Sequence, residues 1–215
     1  MKKILTVVVV LSGLYLTSAQ EQKANVRVAH LSPDAPVVDV WVNGAKTLES
    51  VSFKAVSGYS SLVAGETTVW VVPAGKTEPK VIDAKLKLEA GKSYTVAATG
   101  FLKDLKPTVF EDNFKPVASQ ALVRFLHTSP DAPAVDVGIA GYPRTIFSAT
   151  AFPKATEYVP APPGSYDFEV KLAGTQNLVL TVKDVKLEAS KVYSVFAVGS
   201  VADKSLGAVL VVDNK

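Results

Sequence analysis

The 215-residue chain has no cysteine, one methionine, two tryptophans and two histidines. Without cysteine there are no disulfides and no thiolate metal ligands, so the stapled folds of small exported domains are excluded. Stability has to come from buried apolar side chains, and a composition that is 48% hydrophobic can supply them. There is no block of five or six like charges and the net charge is only +3, so nothing argues for nucleic acid or an anionic membrane as a partner. No segment sustains a helical period. Equally missing are G-x-S-x-G, H-E-x-x-H, S-x-x-K, G-x-x-x-x-G-K and an EF-hand loop, the local signatures of serine hydrolases, zinc peptidases, β-lactamases, P-loop enzymes and Ca²⁺ sensors. No cofactor is expected.

What is present begins with an address. Met1-Lys2-Lys3, an apolar run from Ile4 to Leu16, and Thr17-Ser18-Ala19 read as the charged region, core and cleavage site of a secretory signal peptide over residues 1–19. The run falls short of the ~18 residues of a spanning helix. The expectation is cleavage after Ala19, a secreted, periplasmic or cell-surface location, and no stable membrane span after signal cleavage. Retention as an N-terminal anchor is the alternative. No cysteine follows the cleavage point, which removes the usual bacterial lipid attachment.

The remainder is written twice. "HLSPDAPVVDVWVNG" (30–44) returns as "HTSPDAPAVDVGIAG" (127–141) at an offset of 97, and "LEAGKSYTVAATG" (88–100) returns as "LEASKVYSVFAVG" (187–199) at an offset of 99. Val26-Arg27 matches Val123-Arg124, and Asp112-Asn113 is echoed by Asp213-Asn214. Each copy has the size of a domain, giving repeat 1 over 20–117 and repeat 2 over 118–215, with a short joint around Phe114 to Gln120. Within a copy, residues alternate with the period of a strand. Val38, Val40 and Val42 share one face, Asp39, Trp41 and Asn43 the other, and the run stops at the hairpin signal Asn43-Gly44. Turn residues recur every ~8–12 positions. The fold expected is all-β: two tandem β-sandwich domains of about seven strands each.

Ser32-Pro33-Asp34-Ala35-Pro36 and its copy lie between strands. The prolines set φ and remove two amide donors, Asp34 and Asp131 can accept nearby amides, and Asp39 and Asp136 can tie the loop to the following strand. A structural role therefore accounts for most of the motif, comprising His30, Ser32, Asp34 and Asp39 with His127, Ser129, Asp131 and Asp136. A hydrolytic His–Ser–Asp set is disfavoured because residues i and i+2 of a strand project ~6.5–7 Å apart, beyond a Ser–His hydrogen bond. A divalent ion on His30, Asp34 and Asp39 suits imidazole and carboxylate chemistry, yet the spacing matches no known cage. No catalytic or metal residue is assigned.

The opening "VRVAHLSPDAPVVDVWVNG" (26–44) resembles the signature of a bacterial family, the domain of unknown function numbered 4397, whose exported members often carry the domain in tandem. The resemblance covers both repeats, and the second departs from it at "VDVGIAG", which lacks the aromatic residue and the Asn-Gly turn. It implies an extracellular β-sandwich of immunoglobulin-like or transthyretin-like topology. It brings no activity, so no functional residue is carried over.

The copies differ on one face. Trp41 and Trp70 both lie in repeat 1 and, by parity, point away from the core valines, with Val72 on the same side; the counterparts in repeat 2 are Gly138, Glu169 and Lys171. Trp41, Trp70 and Val72 are thus the candidate ligand or interface residues. Three readings compete: cover from within the domain, packing against repeat 2 or a second molecule, or a platform for stacking sugars or aromatic groups. Tyr94 and Tyr193 are expected to pin a sandwich corner, and Tyr59, Tyr158 and Tyr166 to send their hydroxyls to solvent or backbone. The function expected is that of an exported, non-enzymatic binding or adhesion protein with an extracellular protein or glycan partner. The alternative is an envelope structural or assembly component docking through the aromatic face. Last comes a metal-dependent or hydrolytic module using the His–Asp motif.

Overall fold

The structure, a computed structural model, describes residues 22–214; the expected signal peptide lies outside them. Strands fill the intervals between turn residues. In the first repeat they are β1 (Lys23–His30), β2 (Val38–Val42), β3 (Ala45–Val51), β4 (Ser60–Val63), β5 (Gly65–Pro73), β6 (Ile82–Leu88), β7 (Ser93–Thr99) and β8 (Lys106–Glu111). In the second they are β9 (Ala121–His127), β10 (Val135–Ile139), β11 (Thr145–Thr150), β12 (Lys154–Ala155), β13 (Val159–Ala161), β14 (Gly164–Leu172), β15 (Leu178–Leu187), β16 (Val192–Val198) and β17 (Gly207–Val212). Short edge strands such as β4, β12 and β13 carry the number above the seven per copy that the turn spacing suggests.

Each repeat builds two sheets. They are β4-β1-β7-β8 and β3-β2-β5-β6 in the first, and β12-β9-β16-β17 (with β13 also on β9) and β11-β10-β14-β15 in the second. Neighbours run antiparallel except β1 with β7 and β9 with β16, which are parallel in matching register, Val26 beside Tyr94 and Val123 beside Tyr193. Asn43 and Gly44 both have positive φ (50° and 84°), the geometry a two-residue hairpin requires and these residue types tolerate. The Tyr94 hydroxyl accepts the Glu89 amide at 3.2 Å and the Tyr193 hydroxyl accepts the Glu188 amide at 3.0 Å, so each tyrosine pins the corner ahead of its own strand. Val38, Val40, Val69 and Val71 face the core of the first sandwich, and Val135, Val137, Phe168 and Val170 that of the second.

The repeats meet sheet on sheet. Strands β9 and β16 are buried at every residue, and β7 at all but its first, which is why these segments read as near-continuous apolar runs rather than clean alternation. One face of each strand serves its own sandwich. The other joins an apolar cluster shared by both repeats, Ala29, Leu31 and Phe110 with Leu126, Phe196 and Val198. The sheets carrying β2 and β10 are therefore the outer layers.

At one end of this junction two arginines cross. Arg27 Nη1 donates to Asp213 Oδ1 at 2.7 Å and its Nε to Thr95 Oγ1 at 2.8 Å; Arg124 Nη2 donates to Asp112 and its Nε to Ser194 Oγ at 2.8 Å. Each arginine thus binds the aspartate of the other repeat. Tyr59 donates to Asp112 and Tyr158 to Asp213, both at 2.6 Å, and each phenol ring lies under a guanidinium, Arg27 over Tyr59 at 4.9 Å and Arg124 over Tyr158 at 4.6 Å. These two tyrosines do not reach solvent or backbone as the strand pattern suggests, because the junction buries them beside charged acceptors. Burial first, and the nearby Asp112 carboxylate next, push the Tyr59 phenol far above its usual range.

Candidate functional site

The duplicated motif is a set of anchors. His30 Nε2 donates to the Pro36 carbonyl at 2.9 Å and His127 Nε2 to the Pro133 carbonyl at 3.0 Å; a carbonyl only accepts, so the ring proton sits on Nε2. Both rings are 1% exposed, and burial holds both below the ordinary histidine pKa. Asp34 Oδ1 accepts the Leu102 amide at 2.7 Å and the Ser32 hydroxyl at 3.3 Å. In the second copy Asp131 takes the Ser200 hydroxyl and the amides of Val201 and Ala202, while Ser129 Oγ is buried without a partner. Burial opposes the Asp131 charge, yet those three donors together hold its carboxyl below the usual range.

Asp39 and Asp136 tie bulges. Asp39 accepts the amides of Ser50 (2.9 Å) and Gly75 (3.1 Å), and Asp136 those of Ala149 (2.7 Å) and Gly174 (2.9 Å). Ser50 and Ala149 have positive φ at register shifts between β2 and β3 and between β10 and β11. The carboxylates supply the acceptor that the bulged amides lose, and those amides lower both aspartate pKa values. The imidazoles and carboxylates are bonded to backbone groups and neighbouring hydroxyls, and among the described residues neither motif serine is hydrogen-bonded to a histidine. Among the described residues, no group of three or more histidine or carboxylate side chains is placed to hold a metal ion.

Trp41 and Trp70 do lie on the face opposite the core valines, paired across β2 and β5 and stacked with ring centroids 5.6 Å apart at 23°. Lys46 Nζ stands 5.7 Å from the centre of one ring and Lys80 Nζ 4.6 Å from the other. Lys46 is bonded to Asp39 and Glu49, and Lys80 to Asp83. The indoles form a cross-strand ladder flanked by its own cations, on an outer sheet remote from repeat 2. Trp41 Nε1 is buried without a partner. Val72 is fully buried (0% exposed), so no surface is formed by all three residues.

An apolar opening lies in the other repeat. An apolar cleft of about 330 Å³ enters the second sandwich between its edge strands β11 and β13. Ile139, Phe147, Phe168, Val123 and Leu187 floor it, with Ala161, Tyr166 and Arg144 at its rim. The equivalent place in the first sandwich, floored by Val42, Leu48, Val69, Val26 and Leu88, holds only about 30 Å³. The registers explain part of the contrast. Leu62 in β4 lies opposite Ala24, and Ala161 in β13 opposite Ala121, so the leucine that closes the first cleft is an alanine in the second. The β10–β11 connection is also two residues longer than β2–β3: Gly138 pairs with Thr145 where Trp41 pairs with Lys46. The extra Tyr142-Pro143 is the step from offset 97 to 99. A Cβ on Gly138 would come within 3.2 Å of the Arg144 carbonyl, so the longer connection closes over the position that Trp41 takes in the first copy. A broader polar groove of about 510 Å³ runs along the repeat junction over Arg124 and residues 153–158, with the Arg124 guanidinium already engaged by Asp112.

Comparison with known proteins places the chain. The family model described as Domain of unknown function (DUF4397) matches residues 24–138 and 142–215. The chain belongs to this family. No curated protein matches. Among solved structures the DUF4397 chain is similar to CBMbc (family CBM26) from Eubacterium rectale Amy13K, solved in complex with maltoheptaose. The identity is 8%, with 90% of this chain and 97% of that chain covered, at a TM-score of 0.27. A likeness that distant carries no argument about the ligand of this DUF4397 protein.

Proposed function

We propose that this DUF4397 protein is an exported, non-catalytic binding protein, secreted, periplasmic or held at the cell surface. In this reading the first sandwich and the crossed-arginine junction are a rigid scaffold, and the second sandwich presents the ligand cleft. The observation that carries it is the difference between copies: the same inter-sheet space is about 330 Å³ in one repeat and about 30 Å³ in the other. Pockets of ~300–1,000 Å³ are the usual size for small ligands. Support for a non-catalytic role comes from the motif, whose histidine and aspartate side chains are committed to loops and bulges. Ala161→Leu restores the residue that fills the first cleft. A panel of small apolar compounds should raise the melting temperature of the native protein and leave that of Ala161→Leu unchanged; no shift with any compound would sink the reading.

A second reading, adhesion or envelope assembly through the aromatic face with a protein or glycan partner, rests on the half-buried stacked pair Trp41 and Trp70 on the outer sheet. It predicts that Trp41→Ala with Trp70→Ala releases the protein from the envelope fraction. Retention of that variant would dismiss it.

A further inference from the structure

Resting on the cleft as ligand site, we propose that its ligand is a small soluble amphiphile, a slim apolar chain ending in a carboxylate, with the chain in the cleft of the second sandwich and the carboxylate on Arg144. Three observations lead there. The floor is hydrocarbon and aromatic, and Arg144 is the only charged residue among those lining the cleft. No carboxylate among the described residues takes that guanidinium. Among the described residues Arg144 makes no ion pair, and the acidic groups of the adjoining strands are engaged elsewhere. Asp136 holds two amides, Asp167 accepts the Asp184 amide at 2.8 Å, and Glu169 pairs with Lys171 at 2.9 Å. The chain has three arginines; the other two are sealed against aspartates at the junction, and the third stands free where the apolar cleft meets solvent.

Arginine offers a planar fork that matches a carboxylate in two parallel hydrogen bonds, and a cation at the rim repels a cationic ligand while adding nothing for a neutral one. The volume, at the low end for small-ligand pockets, selects a slim chain over a fused-ring body. Both determinants are absent from repeat 1, where Ala45 stands at the place of Arg144 and Leu62 at that of Ala161. The insertion and the leucine-to-alanine change act on the same space from its two edges, the pattern expected of a built site rather than a packing fault.

The test is calorimetric titration of the chain from residue 20 onward with sodium octanoate, sodium hexanoate and octan-1-ol. Octanoate should bind, hexanoate about fifteenfold more weakly at roughly fourfold per methylene, and octan-1-ol about tenfold more weakly for want of the charged hydrogen bonds. Arg144→Gln should bring octanoate down to the octan-1-ol affinity and leave octan-1-ol unchanged. Ala161→Leu should abolish all three, and Ala161→Val weaken them by a graded amount if the leucine variant proves unfolded by circular dichroism. Equal affinity for octanoate and octan-1-ol, unaltered in Arg144→Gln, overturns the carboxylate proposal while the cleft reading survives. Binding of none of the three, or binding undiminished in both Ala161 variants, overturns the cleft reading with it. Co-sedimentation with phosphatidylglycerol vesicles that is lost on adding octanoate would assign the chain to a membrane lipid and overturn the soluble ligand.

Discussion

Asp213→Asn tests the junction most directly. Arg27 and Asp213 lie 2.7 Å apart with side chains 1% and 0% exposed, and the same carboxylate accepts the Tyr158 and Ser194 hydroxyls. Removing its charge leaves two buried guanidiniums to share the one Asp112 carboxylate, 3.8 Å from Arg27 Nε, and losing one partner of a buried pair costs about 3–5 kcal/mol, against a total of ~5–15 kcal/mol for a folded domain. The readout is convenient because both tryptophans lie in repeat 1 and Asp213 in repeat 2. Urea unfolding followed by indole emission reports on the repeat that was not mutated. With a slope of about 2 kcal/mol per molar for a domain of this size, the indole-detected midpoint should fall by roughly 1.5–2.5 M. Asp112→Asn, its equivalent, removes the partner of Arg124 and should act similarly. Arg27→Met combined with Asp213→Leu should recover most of the loss, since an apolar pair of similar bulk replaces a buried ion pair at little cost. An indole midpoint that Asp213→Asn moves by less than about 0.3 M would refute the reasoning, for it would mean that the charge of Arg27 is not balanced across the repeats.

Three further outcomes follow from single sites. Burial lowers the pKa of His30 and His127, so the unfolded chain binds more protons below its ordinary pKa of ~6.5; stability should be level above that pH and fall as pH drops toward 5, and His30→Gln with His127→Gln should flatten the slope in melts at stepped pH. Asp39, Asp131 and Asp136 have lowered carboxyl pKa values, so their contribution is fully present above ~3.9 and fades as pH falls below it through the lowered folded-state values; Asp39→Ala, which frees the amides of Ser50 and Gly75, should lower the melting temperature at pH 7 and by progressively less as pH drops below ~3.9. At Gly199, φ is +90° and a Cβ would lie 2.6 Å from the Ser205 carbonyl carbon, so Gly199→Ala should cost about 2–4 kcal/mol in chemical denaturation.

The legible part of the fold was local. Strand alternation placed Val38, Val40 and Val42 inward and Trp41 outward, Asn43-Gly44 marked its hairpin, and the tyrosines at 94 and 193 sit at corners where their hydroxyls take up a backbone amide. The motif residues hold loops through hydrogen bonds that span from two to seventy-one residues, and their type and position already suited that work. Two signals lay in plain view without their meaning. Arg27 and Arg124 are repeated among a crowd of lysines, and Asp112 and Asp213 close each copy. Arginine rather than lysine at matched positions is what a buried, forked ion pair selects, but alternation alone assigns such a residue to a solvated face. Tyr59 and Tyr158 were hidden for the same reason, since a phenol on an exposed strand and one at a sealed junction look alike in sequence. The cleft left its mark as a two-residue step in the repeat offset and an alanine opposite an alanine, neither of which shows an opening until both edge strands are placed.

What the sequence by itself determined is everything that depends on neighbours along the chain: the duplication, the all-β grammar, the turns, and the family, because periodicity and turn chemistry act over a few residues. Tertiary structure alone decided the pairing of charges and the fate of surfaces. Arg27 has Asp112 of its own repeat 3.8 Å from its Nε, but its short bond, at 2.7 Å, is to Asp213, because the inner sheets stack face to face and bring each guanidinium over the opposite copy's carboxylate. Trp41 and Trp70 could have faced the second repeat; they stand on the outer sheet because it is the other sheet, through Ala29, Leu31 and Phe110, that packs on the second repeat. Burial and charge balance are properties of assembled layers, and no count along a single strand contains them.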